Sequence, residues 1–288
     1  METSSQISKF WLPSKFPLYS SLTSQASRYK ESLPLIADRV FALIAKWDKS
    51  YIANSTPFDI YSEFSRLTLD NIGIAAFGGD FGAINSDDTC IFDEVAIILK
   101  VNKKHVISIS NFQEMQKRAE QLYPIYKLYP SFLTNTFDVS NNKIHSIVRN
   151  KIKNRKNSGD TKKCLLDTML DAQPIFNMSD KEIEDEMITW VMGGHETTAS
   201  LISWTLYLLY KNKNCLNKVR QEAQFSSTIP SYEELNKMEY LTCVLKETLR
   251  MYPPAPLLNR VSIETVDIGG YVLPPNVGVF VCVRCVKK

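Results

Sequence analysis

The chain has 288 residues, of which 44% are hydrophobic and 23% are charged, and these are globular rather than disordered proportions. The formal net charge of +3 arises from 34 Lys and Arg against 31 Asp and Glu, which indicates no nucleic-acid partner. Six cysteines do not make a disulfide framework. The longest apolar run, residues 201–210, is too short to span a bilayer, and no secretory signal opens the sequence. We therefore expect a cytoplasmic, reduced chain without a membrane anchor in these residues.

Helical periodicity governs most of the chain after residue 35. Period-two alternation replaces it near the C-terminus, at 261–268 and 277–283, and predicts strands. The sequence thus predicts a mainly α protein with a small β portion near the C-terminus. The helices are predicted at 35–47, 58–72, within 91–133, and at 143–153, 165–170, 179–211 and 231–252.

Three local patterns refine these elements. Ser179 with Glu182, and Ser231 with Glu234, have the spacing of capping boxes. The sequence FGGDFG at 77–82 lacks the spacing of a phosphate loop, so we interpret it as a helix cap and loop. The stretch 141–163 is basic, but its apolar side chains share one face, which indicates a surface helix with a solvated basic side.

The sequence GGHETT, residues 193–198, is the most unusual feature, because it places glycines and polar groups inside a long apolar helix. Gly193 and Gly194 leave space where a flat ligand could approach the backbone. Glu196 followed by Thr197 could pass protons to such a ligand. A helix kink with a satisfied polar patch is an equally good interpretation of these six residues alone.

Two further features are ordinary when taken singly. Glu247 and Arg250 are three residues apart and can pair on one face of a helix. Arg260 follows a proline-rich apolar run and by itself indicates no more than an exposed arginine.

In this order, the three features resemble the cytochrome P450 haem-thiolate monooxygenases. Residues 193–198 match the motif of the family's long central helix, and Glu247 with Arg250 match its Glu-x-x-Arg signature. Pro253, Pro254 and Arg260 stand at the family's offsets after that signature. The segments 58–83 and 270–279 also resemble eukaryotic members, so the resemblance covers roughly residues 35–283.

The resemblance implies a role for each matching residue. Thr197 holds a water or the bound dioxygen, and Glu196 feeds the proton relay. Gly193 and Gly194 let the helix pass over the haem (heme, iron protoporphyrin) face, and Arg260 binds a haem propionate. Glu247 and Arg250 form a buried structural network. His195 occupies a variable position and receives no role.

The sequence also departs from the family. The family's cysteine ligand lies in a glycine-bearing loop after the strands, and neither Cys282 nor Cys285 lies in such a loop. We therefore expect neither to bind iron, predict no metal ligand in these residues, and expect the chain to be truncated at both ends. Trp11 and Lys15 have the family's Trp-x-x-x-Arg spacing, but the intervening Pro13 argues against a helix there.

These expectations define one incomplete cytochrome P450 domain over 1–288, in which 1–34 match poorly. Its predicted activity inserts one atom of O2 into an apolar small molecule, with a reductase as electron donor. An intact parent protein is compatible with the endoplasmic reticulum membrane. Two alternatives remain open at this point: an inactive fragment without its axial thiolate, and a helical binding protein unrelated to haem.

Overall fold

The computed structural model describes residues 26–85, 132–158, 164–225 and 227–282. The predicted helices of 91–133 fall almost entirely outside the described residues. Trp11, Lys15 and Cys285 also lie outside them.

The described part of the chain is predominantly helical, with short strands only after residue 256, so the predicted fold class is confirmed. A π-helical turn, Asp48–Ile52, follows the first helix. The α-helices are α1 (Ala26–Trp47), α2 (Ile60–Phe77), α3 (Phe132–Asn157), α4 (Leu165–Phe176), α5 (Asp180–Lys211), α6 (Lys213–Glu222), α7 (Tyr232–Asn236) and α8 (Glu239–Met251). The strands are β1 (Leu257–Val261), β2 (Val266–Ile268), β3 (Tyr271–Leu273) and β4 (Gly278–Cys282).

Two antiparallel ladders form the β portion. β1 pairs with β4, and β2 pairs with β3 across a turn in which Gly269 and Gly270 both have positive φ. The stretch 261–268, for which strands were predicted, is therefore divided between the end of β1 at Val261 and β2, which begins at Val266. Ser262 is fully buried beyond the end of β1, where its hydroxyl donates to the Pro274 carbonyl and accepts from the Val277 N–H.

The single helix predicted over 231–252 is wrong in detail. The Ser231–Glu234 capping box forms, but α7 ends at Asn236 and α8 begins separately. A carboxylate from another helix holds the first turn of α8. Glu222 on α6 accepts hydrogen bonds from the backbone N–H groups of Tyr240 and Leu241, at 2.7 and 2.8 Å.

The chain divides into two compact units, each with its own internal packing. One unit comprises Pro34–His195, and the other comprises Met1–Leu33 with Glu196–Lys288. Since α5 runs without a break from Asp180 to Lys211, the division falls inside this helix.

In the Pro34–His195 unit, α2 forms the core and the glycine cluster ends it. Gly78 takes a left-handed conformation (φ +79°) that closes the helix, as the cap-and-loop interpretation predicted. Asp70, fully buried, then accepts hydrogen bonds from the backbone N–H groups of Phe81, Ala83 and Ile84, at 2.8–3.1 Å. The loop is thus folded around a carboxylate, which meets the requirement that a buried charge be hydrogen-bonded.

The helix α3 has the predicted basic outer side. Its apolar residues Ile144, Val148 and Ile152 are buried, whereas the Arg149 side chain is 65% exposed. Arg149 and His145 both bind the carboxylate of Glu184 on α5, with His145 Nδ1 2.6 Å from Glu184 Oε1. The basic side of α3 therefore serves in part to hold α5.

Candidate functional site

The helix that carries the GGHETT sequence begins at the predicted capping box. The Ser179 N–H donates to Glu182 Oε2 at 2.8 Å, and the Glu182 N–H donates to Ser179 Oγ at 3.2 Å. From this start α5 continues for 32 residues, which at 1.5 Å per residue is about 48 Å. The helix remains continuous through residues 193–198, so the two glycines are accommodated without ending it.

The two glycines have different surroundings. A Cβ built on Gly194 would lie 2.7 Å from Cδ1 and 3.0 Å from Cγ1 of Ile72, on α2. A Cβ on Gly193 would meet no atom within 4 Å, and Gly193 is exposed. The resemblance implies that the two glycines let the helix pass over the cofactor. In the structure, Gly194 lies where α2 and α5 pack closely, and Gly193 leaves open space beside the helix.

His195 belongs to the packed side of α5. It is 2% exposed, and its backbone carbonyl accepts a hydrogen bond of 2.9 Å from Thr68 Oγ1, on α2. A helical carbonyl can accept a second hydrogen bond because it has two lone pairs. Thr68, on α2, thus holds the middle of the motif, on α5, through a hydrogen bond between the two helices. The sequence gives no signal for this contact, since 127 positions separate the two residues.

The other half of the motif lies in the second unit. Thr197 and Thr198 are exposed, Glu196 is half-buried, and Ala199 is fully buried. Thr197 thus lies on an exposed part of α5. A carboxylate adjoins it in the sequence, and this combination can accept and donate protons.

Glu247 and Arg250 form the predicted pair on α8. Arg250 Nε donates to Glu247 Oε2 at 2.6 Å, while Nη2 donates to Oε1, so the pairing is bidentate. The hydrogen bond from Arg250 lowers the pKa of Glu247. The resemblance implies a buried network. Among the residues that the structure describes, the Arg250 side chain is 38% exposed and the Glu247 side chain is 54% exposed. α8 buries Thr248, whereas its neighbours Glu247 and Leu249 lie on the exposed side.

Arg260 lies in β1, opposite Val279 of β4 in the antiparallel register. Cys282 ends β4 opposite Leu257, so it occupies a strand and not a glycine-bearing loop. Across the stretches that the structure describes, no cluster of three or more His, Cys, Asp or Glu side chains is arranged to hold a metal. In those stretches, no helix has both the length and the apolar character to cross a membrane.

Comparison with known proteins identifies the class to which this fold and motif belong. A family model described as Cytochrome P450 matches residues 18–288. The chain belongs to the cytochrome P450 family.

Individual relatives agree with this assignment. The chain is 30% identical to echinocystic acid 23-monooxygenase of Saponaria officinalis, over 88% of this chain and 49% of that protein. It is 27% identical to the chloroplastic cytochrome P450 97B1 of Pisum sativum, over 80% and 44% respectively. A bifunctional cytochrome P450/NADPH–P450 reductase of Bacillus cereus is also 27% identical, over 84% of this chain and 22% of its own length. The chain spans about half the length of the first two relatives.

Family membership bears on the two alternatives that the sequence left open. It excludes a helical binding protein unrelated to haem. The comparisons give an inactive fragment no support over the monooxygenase interpretation. Membership also implies a haem iron cofactor. The residues on α5 fit such a group at Gly193, where the structure has an exposed backbone and open space on the side that a Cβ would occupy.

Proposed function

We propose that the protein containing these residues is a haem-dependent monooxygenase that inserts one oxygen atom of O2 into an apolar small molecule. A haem bound beside α5 would supply the oxygen-splitting chemistry. The observation that carries the proposal is the open space at Gly193, in a helix whose sequence otherwise matches the family's central helix.

Thr197 is proposed to act on the same side of α5 as Gly193. Residues four positions apart lie one above the other on a continuous helix, so these two residues share a face. The flat cofactor can approach the backbone at Gly193, while Thr197 Oγ1 holds a water or the oxygen substrate by a hydrogen bond. The exposure of Thr197 supports this assignment.

Glu196 is proposed to supply protons to Thr197 Oγ1. A half-buried carboxylate can take a proton from solvent and release it toward an adjoining hydroxyl, directly or through one water. This function does not require the His195 side chain, which lies on the packed side of the helix.

The remaining site residues are proposed to hold the cofactor and its surroundings. Arg260 binds a haem propionate through a charge-assisted hydrogen bond, for which the planar guanidinium is suited. Glu247 and Arg250 keep α8 in position through their bidentate pair. Neither Cys282 nor Cys285 is proposed as the iron ligand.

The proposed electron donor is a reductase, which the Bacillus cereus relative supports by joining both activities in one chain. The proposed substrate is apolar and small. The name of the Saponaria officinalis relative, an echinocystic acid monooxygenase, supports an organic substrate of this kind.

The test is the spectrum of the reduced carbon monoxide complex, recorded on the full-length protein that contains this chain. We expect the red-shifted Soret band of a thiolate–carbonyl complex, followed by NADPH-dependent oxygen insertion into an apolar substrate. Cys282→Ser and Cys285→Ser are matched controls that should leave the band unchanged. A histidine-type band, or no haem binding by folded protein, would contradict the proposal.

A further inference from the structure

At the GGHETT motif, α2 holds α5 by a hydrogen bond and an apolar contact that lie one helical turn apart. Thr68 Oγ1 donates to the backbone carbonyl of His195 at 2.9 Å, and a Cβ on Gly194 would lie 2.7 Å from Ile72 Cδ1. Thr68 and Ile72 are four residues apart, so they share one face of α2. This face therefore contacts two consecutive residues of the motif, the last two before Glu196.

The hydrogen bond from Thr68 is buried and directional. Thr68 and His195 are both buried, so the bond lies away from water. Thr68 Oγ1 also lies 3.2 Å from the carbonyl oxygen of Ser65, one turn earlier on α2, and this contact favours a single rotamer of the threonine. A hydroxyl carries one proton, and the nearer acceptor is the His195 oxygen.

The carbonyl that Thr68 binds belongs to the backbone that carries the acid and the hydroxyl of the motif. A peptide group is planar, so holding the His195 oxygen also holds the nitrogen and the Cα of Glu196. In a continuous α-helix, the same oxygen accepts from the N–H of Ala199 and closes the turn that contains Glu196 and Thr197. A donor on this oxygen therefore influences the direction in which both side chains leave α5.

We propose that Thr68 is a positioning residue of the proton relay, and that it acts on Glu196 and Thr197 through the His195 carbonyl. This inference rests on the proposed monooxygenase function, because it adds a residue to the relay of that same site. Proton transfer requires a donor and an acceptor within hydrogen-bond reach, and a displacement of about 1 Å can cost about 100-fold in rate. Removal of the Thr68 hydroxyl should therefore impair the relay in protein that is still folded.

The first measurement is the ratio of peroxide to product per NADPH consumed, in the full-length protein that contains this chain. Thr68→Val removes the donor at nearly constant volume, and we expect the ratio to rise about tenfold. Thr68→Ser keeps the hydroxyl and should give a ratio close to that of the wild type. Ser65→Ala is the matched control, because Ser65 Oγ is buried on the same helix and has no hydrogen-bond partner among the described residues.

A double-mutant cycle separates positioning of the relay from a general loss of stability. If Thr68 acts through the relay, adding Thr68→Val to Thr197→Ala should raise the peroxide-to-product ratio no further. Multiplied effects in the double variant would overturn the proposal, and so would an unchanged ratio in Thr68→Val alone. If Thr68→Val does not fold, Thr68→Ala, which also lacks the donor, replaces it in the cycle.

A second measurement does not depend on turnover. Among the 288 residues, His195 is the only histidine that a glutamate follows, so carbonyl-¹³C histidine combined with ¹⁵N glutamate selects this one peptide group for NMR. In reduced protein under carbon monoxide, its carbonyl signal should shift in Thr68→Val and stay in place in Thr68→Ser and Ser65→Ala. An unshifted signal in Thr68→Val would overturn the proposal.

The two measurements also distinguish failure of this inference from failure of the proposed function. Wild-type protein that inserts oxygen, combined with an unchanged ratio in Thr68→Val, would contradict only the positioning role of Thr68. Wild-type protein that inserts no oxygen, although the carbonyl signal shifts in Thr68→Val, would contradict the proposed function. The positioning role would then fail with it, while the hydrogen bond itself would be confirmed.

Discussion

Gly194 and Ile72 are in such close contact that a single added carbon would bring residue 194 within 2.7 Å of Ile72 Cδ1. This contact sets the separation of α2 and α5 at the centre of the motif. Its neighbour Gly193 has no comparable constraint, although the two glycines are adjacent in the sequence.

Alanine substitutions should therefore have opposite effects at the two glycines. We expect Gly194→Ala to destabilise the chain by about 1–3 kcal/mol through overpacking, offset in part by a gain in helix propensity of up to about 1 kcal/mol. Gly193→Ala should stabilise it by about 0.5–1 kcal/mol. Urea denaturation measures the free energy of unfolding of both variants. Adding Ile72→Val, which removes Cδ1, should restore part of the stability that Gly194→Ala loses. Equal effects at both positions would contradict the packing difference.

Thr68 should contribute to stability through its hydroxyl and not through its shape. Thr68→Val removes the donor to the His195 carbonyl while preserving volume, and we expect a loss of about 1–2 kcal/mol. Thr68→Ser keeps the hydroxyl and should lose less. Hydrogen exchange of the α5 amides near residue 199 should accelerate in Thr68→Val. Identical exchange in the two variants would show that the hydrogen bond does not hold this part of the helix.

The Asp167 carboxylate should make stability depend on pH below about 4. It accepts from Arg155 Nε at 2.8 Å and from the Cys164 N–H at 2.7 Å. Although burial acts to raise the pKa of Asp167, the hydrogen bonds from Arg155 and Cys164 lower it below 3.8. Because the pKa of Asp167 is lower in the folded chain than in the unfolded chain, ionised Asp167 stabilises the fold above pH 3.8. This stabilisation is lost as the pH falls through the pKa of the folded state.

The measurement compares the chain with its Asp167→Asn variant by urea denaturation between pH 6 and pH 3. The difference in unfolding free energy should be about 1–3 kcal/mol at pH 6 and should shrink below pH 3.8. Asp171→Asn, on the same helix, is the matched control for a change of one charge. A difference in unfolding free energy that stays constant down to pH 3 would contradict a stabilising contribution from ionised Asp167.

Thr197 should couple electron transfer to oxygen insertion in the full-length protein. With Thr197→Ala, we expect the reductant to be consumed while product falls and peroxide rises, since the proton reaches the bound ligand less readily. The measurement is the ratio of peroxide to product per NADPH consumed. Thr198→Ala is the matched control, because residue 198 lies about 100° further round the helix. Unchanged coupling in Thr197→Ala would remove this hydroxyl from the proton relay.

Features that depend on a few neighbouring residues could be predicted from the sequence. The capping box at Ser179 and Glu182 forms as expected, and so does the ion pair of Glu247 with Arg250. Both arise from spacings of three residues on a helix, which geometry alone brings together. The mainly helical fold with strands near the C-terminus was predictable for the same reason, because period 3.6 and period 2 are local signals.

Features that depend on packing between distant segments could not be predicted. Nothing near Thr68 indicates that its hydroxyl binds the carbonyl of His195, and nothing in GGHETT distinguishes the surroundings of its two glycines. Likewise, the break between α7 and α8 depends on Glu222, which belongs to another helix. These contacts are set by tertiary structure, which overrides local propensity.

The carboxylate of Glu222 has one further consequence for the helix that bears the Glu-x-x-Arg pair. Because α8 lacks a side-chain cap of its own at Met238, its first turn takes its alignment from a residue in α6. Glu247 follows Tyr240 by seven positions, about two helical turns. The direction in which Glu247 and Arg250 project from α8 therefore depends on α6, through a carboxylate that lies 18 residues before Tyr240 in the sequence.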